Sequence, residues 1–171
     1  MAYLLDANVF IQAKNLHYGL DFCPAFWDWM LRKHVSGELF SISQVGDELL
    51  AGNDELANWV KDRGETFFLD TDAKSLPSLA AVSQWVLAQQ FEAAAINTFF
   101  QIADYYLVAV AHAHQHVVVT HERPADSLRK IKIPNVCVGM SVRYVNPFDM
   151  LRRERARFVL GSVASPLPEN P

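Results

Sequence analysis

The sequence predicts one α/β domain, a mostly parallel sheet in a three-layer α/β/α arrangement with helices on both faces. Short apolar runs alternate with segments of helical period along the whole chain. A length of 171 residues, with 51% hydrophobic and 20% charged side chains, supplies one full core. No internal repeat and no linker long enough to divide two domains interrupts the pattern, and only 15 residues are Gly or Pro, which excludes collagen-like, low-complexity and wholly disordered classes.

In chain order, residues 2–5 are an apolar run ending at Asp6, read as a buried strand, and the apolar-rich segment 9–13 begins a helix. Phe22, Phe26, Trp29, Met30 and Val35 recur at roughly helical spacing until Ser36-Gly37 stops them. Residues 39–42 read as a second strand. Ser43 is placed to cap the next helix, which carries Val45, Glu48 and Leu49 and ends at Gly52. Another helical segment opens at Asn53 or Asp54, carries Leu56, Trp59 and Val60, and closes at Gly64, and residues 66–69 read as a third strand. Asp70-Thr71-Asp72 offers caps for a long helical tract broken between residues 91 and 97. Residues 102–114 are helical by their Ala, Leu and Val spacing, and Val117-Val118-Val119 is the clearest strand. A last unit places a strand at Val136-Cys137-Val138 and a helix opened by Asn146-Pro147. The domain is expected to span residues 1–160, with 161–171 as a flexible tail.

The N-terminus has no basic leader and carries an acid at position 6, so it does not read as a signal peptide. The weakly charged stretch 75–91 is interrupted by Ser83, Gln84, Gln89 and Gln90, which fits a buried or amphipathic helix better than a membrane span. Cys23 and Cys137 form no C-x-x-C pair, and reduced thiols in a cytoplasmic protein are expected. The net charge of -4 argues against a basic nucleic-acid coat protein, but it conceals a division: residues 1–122 carry -9 and residues 123–171 carry +5.

In an open parallel sheet the site lies outside the carboxyl ends of the strands. Four acids fall there: Asp6 after the first strand, Glu48 on the helix after the second, Asp104 near the start of the late helix, and Glu122 two residues beyond Thr120. Each alone also fits a turn, a cap or a solvated helix acid. If all four converge, two carboxylates about 5 Å apart repel by roughly 3 kcal/mol at an effective dielectric near 20, and such a cluster needs a cation. Oxygen ligands without Cys select Mg²⁺ or Mn²⁺, ions suited to activating water against a phosphodiester. Asn8 is placed to hydrogen-bond Asp6 or its loop, and Thr120 to orient a ligand or water.

The segments LLDANVFI, the Glu48 helix, IADYYLVAVAHAH and VVVTHE resemble the PIN-domain family of metal-dependent ribonucleases over roughly residues 2–145. The resemblance implies a Rossmann-like parallel sheet and an acidic metal site, with Asp6, Glu48, Asp104 and Glu122 as metal-binding catalytic residues. It further implies RNA cleavage leaving a 5′-phosphate and a 3′-hydroxyl, and many bacterial members are toxins of VapC-type toxin–antitoxin pairs. Position 122 is Glu where the family has Asp, so Glu122 is the least secure ligand. The ending IPNVCVGMSVRYVNPFDMLRRE resembles a PIN-like branch with a C-terminal NPFDML helix. Expected partners are an RNA substrate, a cognate antitoxin and, in a homodimer, a second copy of the chain. The alternative is a PIN-like RNA-binding or protein-interaction module without catalysis.

His121, Arg123, Arg129 and Lys130 are candidate RNA contacts, with Lys132 and Arg143 extending a basic rim. His112, His114 and His116 invite a zinc reading, but without an H-E-x-x-H arrangement a solvated or hydrogen-bonded face is favoured. Asn8 stands where an aspartyl-phosphate phosphatase needs a second Asp, and no phosphate-binding Gly loop or G-x-S-x-G elbow occurs. Trp27, Trp29, Trp59 and Trp85 sit in helical patterns and are expected to pack in the core or against a partner.

Overall fold

Five parallel strands pair in the order β3-β2-β1-β4-β5. The computed structural model describes residues 1–159, so the tail expected at 161–171 lies outside the described residues. The first strand, β1 (Tyr3–Leu5), is central: Tyr3 stands opposite Leu39 of β2 (Leu39–Ile42) and opposite Val117 of β4 (Val117–Val119). Short edge strands β3 (Phe68–Leu69) and β5 (Arg143–Val145) close the sheet. Leu4, Leu5, Leu39, Ile42 and Val117–Val119 are all buried, which is why these strands read as continuous apolar runs rather than alternating ones.

Parallel neighbours require crossovers, and helices supply them. A short α1 (Ala7–Gln12) runs into a π-helical turn, Ala13–His17, before α2 (Pro24–Val35) returns the chain to β2. Three helices follow β2: α3 (Ser43–Leu50), α4 (Glu55–Lys61) and α5 (Gly64–Phe67). A 3₁₀ turn at Ala73–Ser75, then α6 (Leu76–Ala88), α7 (Ala93–Phe99) and α8 (Ala103–His114), carry the chain back to β4. The chain closes with α9 (Ile133–Gly139), β5 and α10 (Pro147–Arg153). Beside α1, the Phe10 ring lies 6.0 Å from Trp59 and from Phe68 and 6.2 Å from Phe67, an aromatic cluster under the sheet's β3 side. Among the described residues, no single helix is long and apolar enough to cross a membrane.

Four local expectations need correction. Residues 136–138 are not a strand but the middle of α9: Pro134 suits the first helical turn, Ile133, Val136 and Cys137 bury one face, and Arg143–Val145 takes the place beside β4. The third strand shrinks to Phe68–Leu69 because Gly64, at φ +62, starts a helical turn instead of ending a helix. Ser43 is the first helical residue of α3 rather than its cap; Ile42 holds the cap position without a side-chain hydrogen bond. The break in the long helical tract falls at residues 89–92, ahead of its expected place. Elsewhere the cap chemistry holds: Asp54 accepts from the Leu56 and Ala57 amides, Asp72 from Ser75, and Asn146 from Asp149.

Candidate functional site

Each of the four acids reaches the carboxyl edge of the sheet by a different route. Asp6 is the first residue beyond β1 and the N-cap of α1; its amide continues the sheet by donating to the Val119 carbonyl at 3.0 Å. Glu48 lies near the end of α3, which departs directly from β2. Asp104 occupies the first turn of α8, the helix that runs back toward the start of β4 and so begins above the strand ends. Glu122 follows β4 after a turn in which its amide donates to Thr120 Oγ1 at 3.0 Å.

Thr120 ties two of these together. Its hydroxyl donates to Asp6 Oδ2 at 2.7 Å while accepting from the Glu122 amide, so the β4 terminus orients the β1 carboxylate. Both Thr120 and Asp6 are almost fully buried, at 1% and 2% exposure. Asn8 is exposed, and its backbone amide rather than its side chain faces Asp6. Glu48 Oε1 accepts from the Ala103 amide at 3.2 Å, one of the free N–H groups at the start of α8, which joins α3 to the helix bearing Asp104.

The electrostatics mark a cluster short of positive charge. Burial pushes the Asp6 carboxyl up to about 6, helped by the charges of Glu122 and Glu48 and opposed by the Thr120 hydrogen bond and the Asn8 amide. Asp104 is pushed further, to about 8, by burial and then by Asp6, Glu122 and Glu48, with Lys130 acting weakly against the shift. Asp6 and Asp104 therefore both feel the charges of Glu48 and Glu122 across the sheet edge. Glu122 is the exception in its contacts: Oε1 accepts from Lys132 Nζ at 2.6 Å and Oε2 from the Ile133 amide at 2.8 Å. Lys132, expected on the basic rim toward RNA, instead holds Glu122, joined there by the N-terminus of α9; neither contact is legible in the sequence.

An all-oxygen donor set suits Mg²⁺ or Mn²⁺, and Mg²⁺ is commonly held by one or two carboxylates with water completing its octahedron. Asp6 and Asp104, close enough for the charge of the first to act on the second, are the residues that could supply such carboxylates. Among the described residues no three His, Cys, Asp or Glu side chains converge closely enough to hold an ion, in keeping with the engagement of Glu122 elsewhere.

The candidate RNA contacts divide between two clefts. His121 and Arg123 line one of about 400 Å³ with Tyr144, Asn146, Phe148 and Arg153, where His121 and His17 pack against the edge of the Phe148 ring. Burial and His17 keep the His121 imidazole below its ordinary pKa. Lys130 and Arg129 line the other, of about 250 Å³, with Thr98 and Ile102, and Arg129 pairs with Glu92 at 3.1 Å. The remaining histidines serve packing: His112 bonds Ser78 at 2.8 Å, His114 pairs with Asp72 at 3.0 Å, and His116 accepts from the Ala2 amide. Of the tryptophans, Trp27 and Trp59 are buried and Trp27 donates to the Tyr18 carbonyl.

This parallel sheet flanked by helices is a PIN-like α/β fold. It is similar to the crystal structure of VapBC2 from Rickettsia felis bound to a DNA fragment from their promoter, with TM-score 0.54 and 16% identity over 85% of this chain and 98% of that one. The crystal structure of FitAcB from Neisseria gonorrhoeae is similar to the same extent, with TM-score 0.52 and 19% identity over 85% of this chain and 98% of that chain. No curated protein matches. The chain belongs to the family described as a domain of unknown function, DUF4411, whose model matches residues 3–158.

Proposed function

We propose that this protein is a Mg²⁺- or Mn²⁺-dependent endoribonuclease, the toxin of a toxin–antitoxin pair. One observation carries the reading: Asp6 and Asp104, with carboxyls raised to about 6 and about 8, stand with Glu48 and Glu122 at the carboxyl edge of a PIN-like sheet. Buried carboxylates with so little positive charge among them are arranged to receive a cation. A bound divalent ion would supply water activation and charge neutralisation at a scissile phosphodiester. The chain's own part is positional. Thr120 fixes the rotamer of Asp6, the Ala103 amide fixes Glu48, and the Arg123 and His121 cleft offers positive and aromatic contacts to a nucleotide next to the site. The shared fold with VapBC2 supports an antitoxin as protein partner.

Incubation of a mixed RNA pool with Mn²⁺, Mg²⁺ or a chelator is the test. Cleavage is expected only with divalent ion, leaving 5′-phosphates, and Asp6→Asn or Asp104→Asn is expected to lower it at least about 100-fold. Cleavage that persists in both variants sinks the assignment. The commitment of Glu122 to Lys132 is the one observation favouring an RNA-binding module without catalysis; RNA retained by the wild-type chain uncut, with either ion present, would identify that alternative.

A further inference from the structure

One methylene separates Glu122 from the Asp expected at its position, and it decides where the carboxylate goes. The longer side chain reaches the start of α9, where each oxygen has its own donor: Lys132 Nζ at 2.6 Å and the Ile133 amide at 2.8 Å. The ion pair is largely withdrawn from water, with Lys132 23% and Glu122 10% exposed, so Lys132 is not a free surface cation. Thr120 holds the Glu122 backbone and Asp6 at once, which places this pair on the border of the carboxylate cluster rather than beyond it. The field of Asp104 also reaches Lys132.

We propose that Lys132 is a built-in cation of the site: it neutralises Glu122, and the chain consequently holds one divalent ion on Asp6 and Asp104, where a set of four free acids would hold two. The inference rests on the metal-dependent reading above and sharpens its stoichiometry. An ion binding Glu122 would have to displace Lys132 and the Ile133 amide, leaving a half-buried ammonium without its carboxylate, which is strongly unfavourable. A tethered ammonium also has full occupancy at any ion concentration. Lys132 is thus a positioning residue, setting the charge and ligand count of the cluster.

Calorimetric titration of the intact protein with Mn²⁺, checked by the spin-resonance signal of the bound ion, reads the stoichiometry directly. The wild type and Lys132→Arg are expected to bind one ion per chain, because the guanidinium preserves the charge. Lys132→Met leaves Glu122 unpaired and is expected to bind two. If that variant does not fold, Glu122→Gln with Lys132→Met removes both charges, and it is expected to bind one ion with a Kd within about threefold of wild type. Two ions on the wild type, one ion on folded Lys132→Met, or a first-ion Kd weakened more than about tenfold in the double variant Glu122→Gln with Lys132→Met would each overturn the proposal while leaving a metal-dependent nuclease standing. A wild-type chain that binds no Mn²⁺ removes both.

Discussion

Burial first, and then the charges of Asp6, Glu122 and Glu48, push the Asp104 carboxyl up to about 8. Both raised carboxyls bind protons in the folded chain that the unfolded chain has released. Stability therefore falls as pH rises from about 4, the Asp6 contribution being lost by about 6 and the Asp104 contribution by about 8. Asp104→Asn is expected to stabilise the ion-free protein at pH about 8.5 by about 1–3 kcal/mol, at about 2–4 °C in Tm per kcal/mol. Mn²⁺ is expected to raise the wild-type Tm more at pH about 8.5 than at about 6 and to leave the variant unmoved. Thermal scans decide this, and a variant less stable than wild type at the higher pH would contradict it. His116 works in the opposite direction. Its Nδ1 accepts from the Ala2 amide at 3.2 Å, so the ring must be neutral, and burial then His114 lower its pKa to about 4. The folded chain here binds fewer protons than the unfolded one, so stability falls as pH drops from about 6.5 toward about 4. Replacing His116 by Gln is expected to flatten that part of a urea-midpoint profile.

At the scale of elements, α9 shows how tertiary contact overrides local preference. Gly139 ends it against Trp85, where an added Cβ would sit 2.1 Å from the indole Cε2. Gly139→Ala should cost about 1–3 kcal/mol, largely recovered when Trp85→Leu accompanies it; full stability in the single variant would show the indole free to move. Asp54→Ala removes acceptors for two α4 amides and the partner of Lys14, with an expected loss of about 1 kcal/mol in a denaturant melt. The strands at β1, β2 and β4 were legible because apolar runs buried on both faces have no other reading. By contrast, Val136-Cys137-Val138 has strand composition, and only the packing of α9 on Trp85 and the pairing of Arg143–Val145 with β4 make it helical. The partly exposed β5 carries an Arg and a Tyr and offered no such run. Among the candidate residues, the places of Asp6, Glu48, Asp104 and Glu122 at the sheet edge could be read from their positions relative to the strands. The Lys132 contact could not, since it depends on a loop closing over ten residues.

Across the whole molecule, the aromatic cluster at Phe10 joins α1, α4, α5 and β3, so it couples elements distant in sequence. Phe10→Ala should lower stability by about 3–5 kcal/mol in equilibrium unfolding, as one cooperative transition rather than a local loosening. The division of charge, -9 in residues 1–122 and +5 beyond, acquires a location as well. All four candidate acids come from the first part, while Arg123, Arg153 and Lys132 come from the second and lie around β4 and β5. The central place of β1 has a further consequence. Tyr3 pairs with Val117, and Asp6 with Thr120, across 114 residues of chain, so the first strand to leave the ribosome waits for about two-thirds of the protein before its second neighbour exists. An incomplete chain has Asp6 but neither Thr120 to orient it nor Glu122 to face it. Were the chain to cleave RNA as proposed, the order of synthesis would leave its candidate site incomplete until residue 122 is in place.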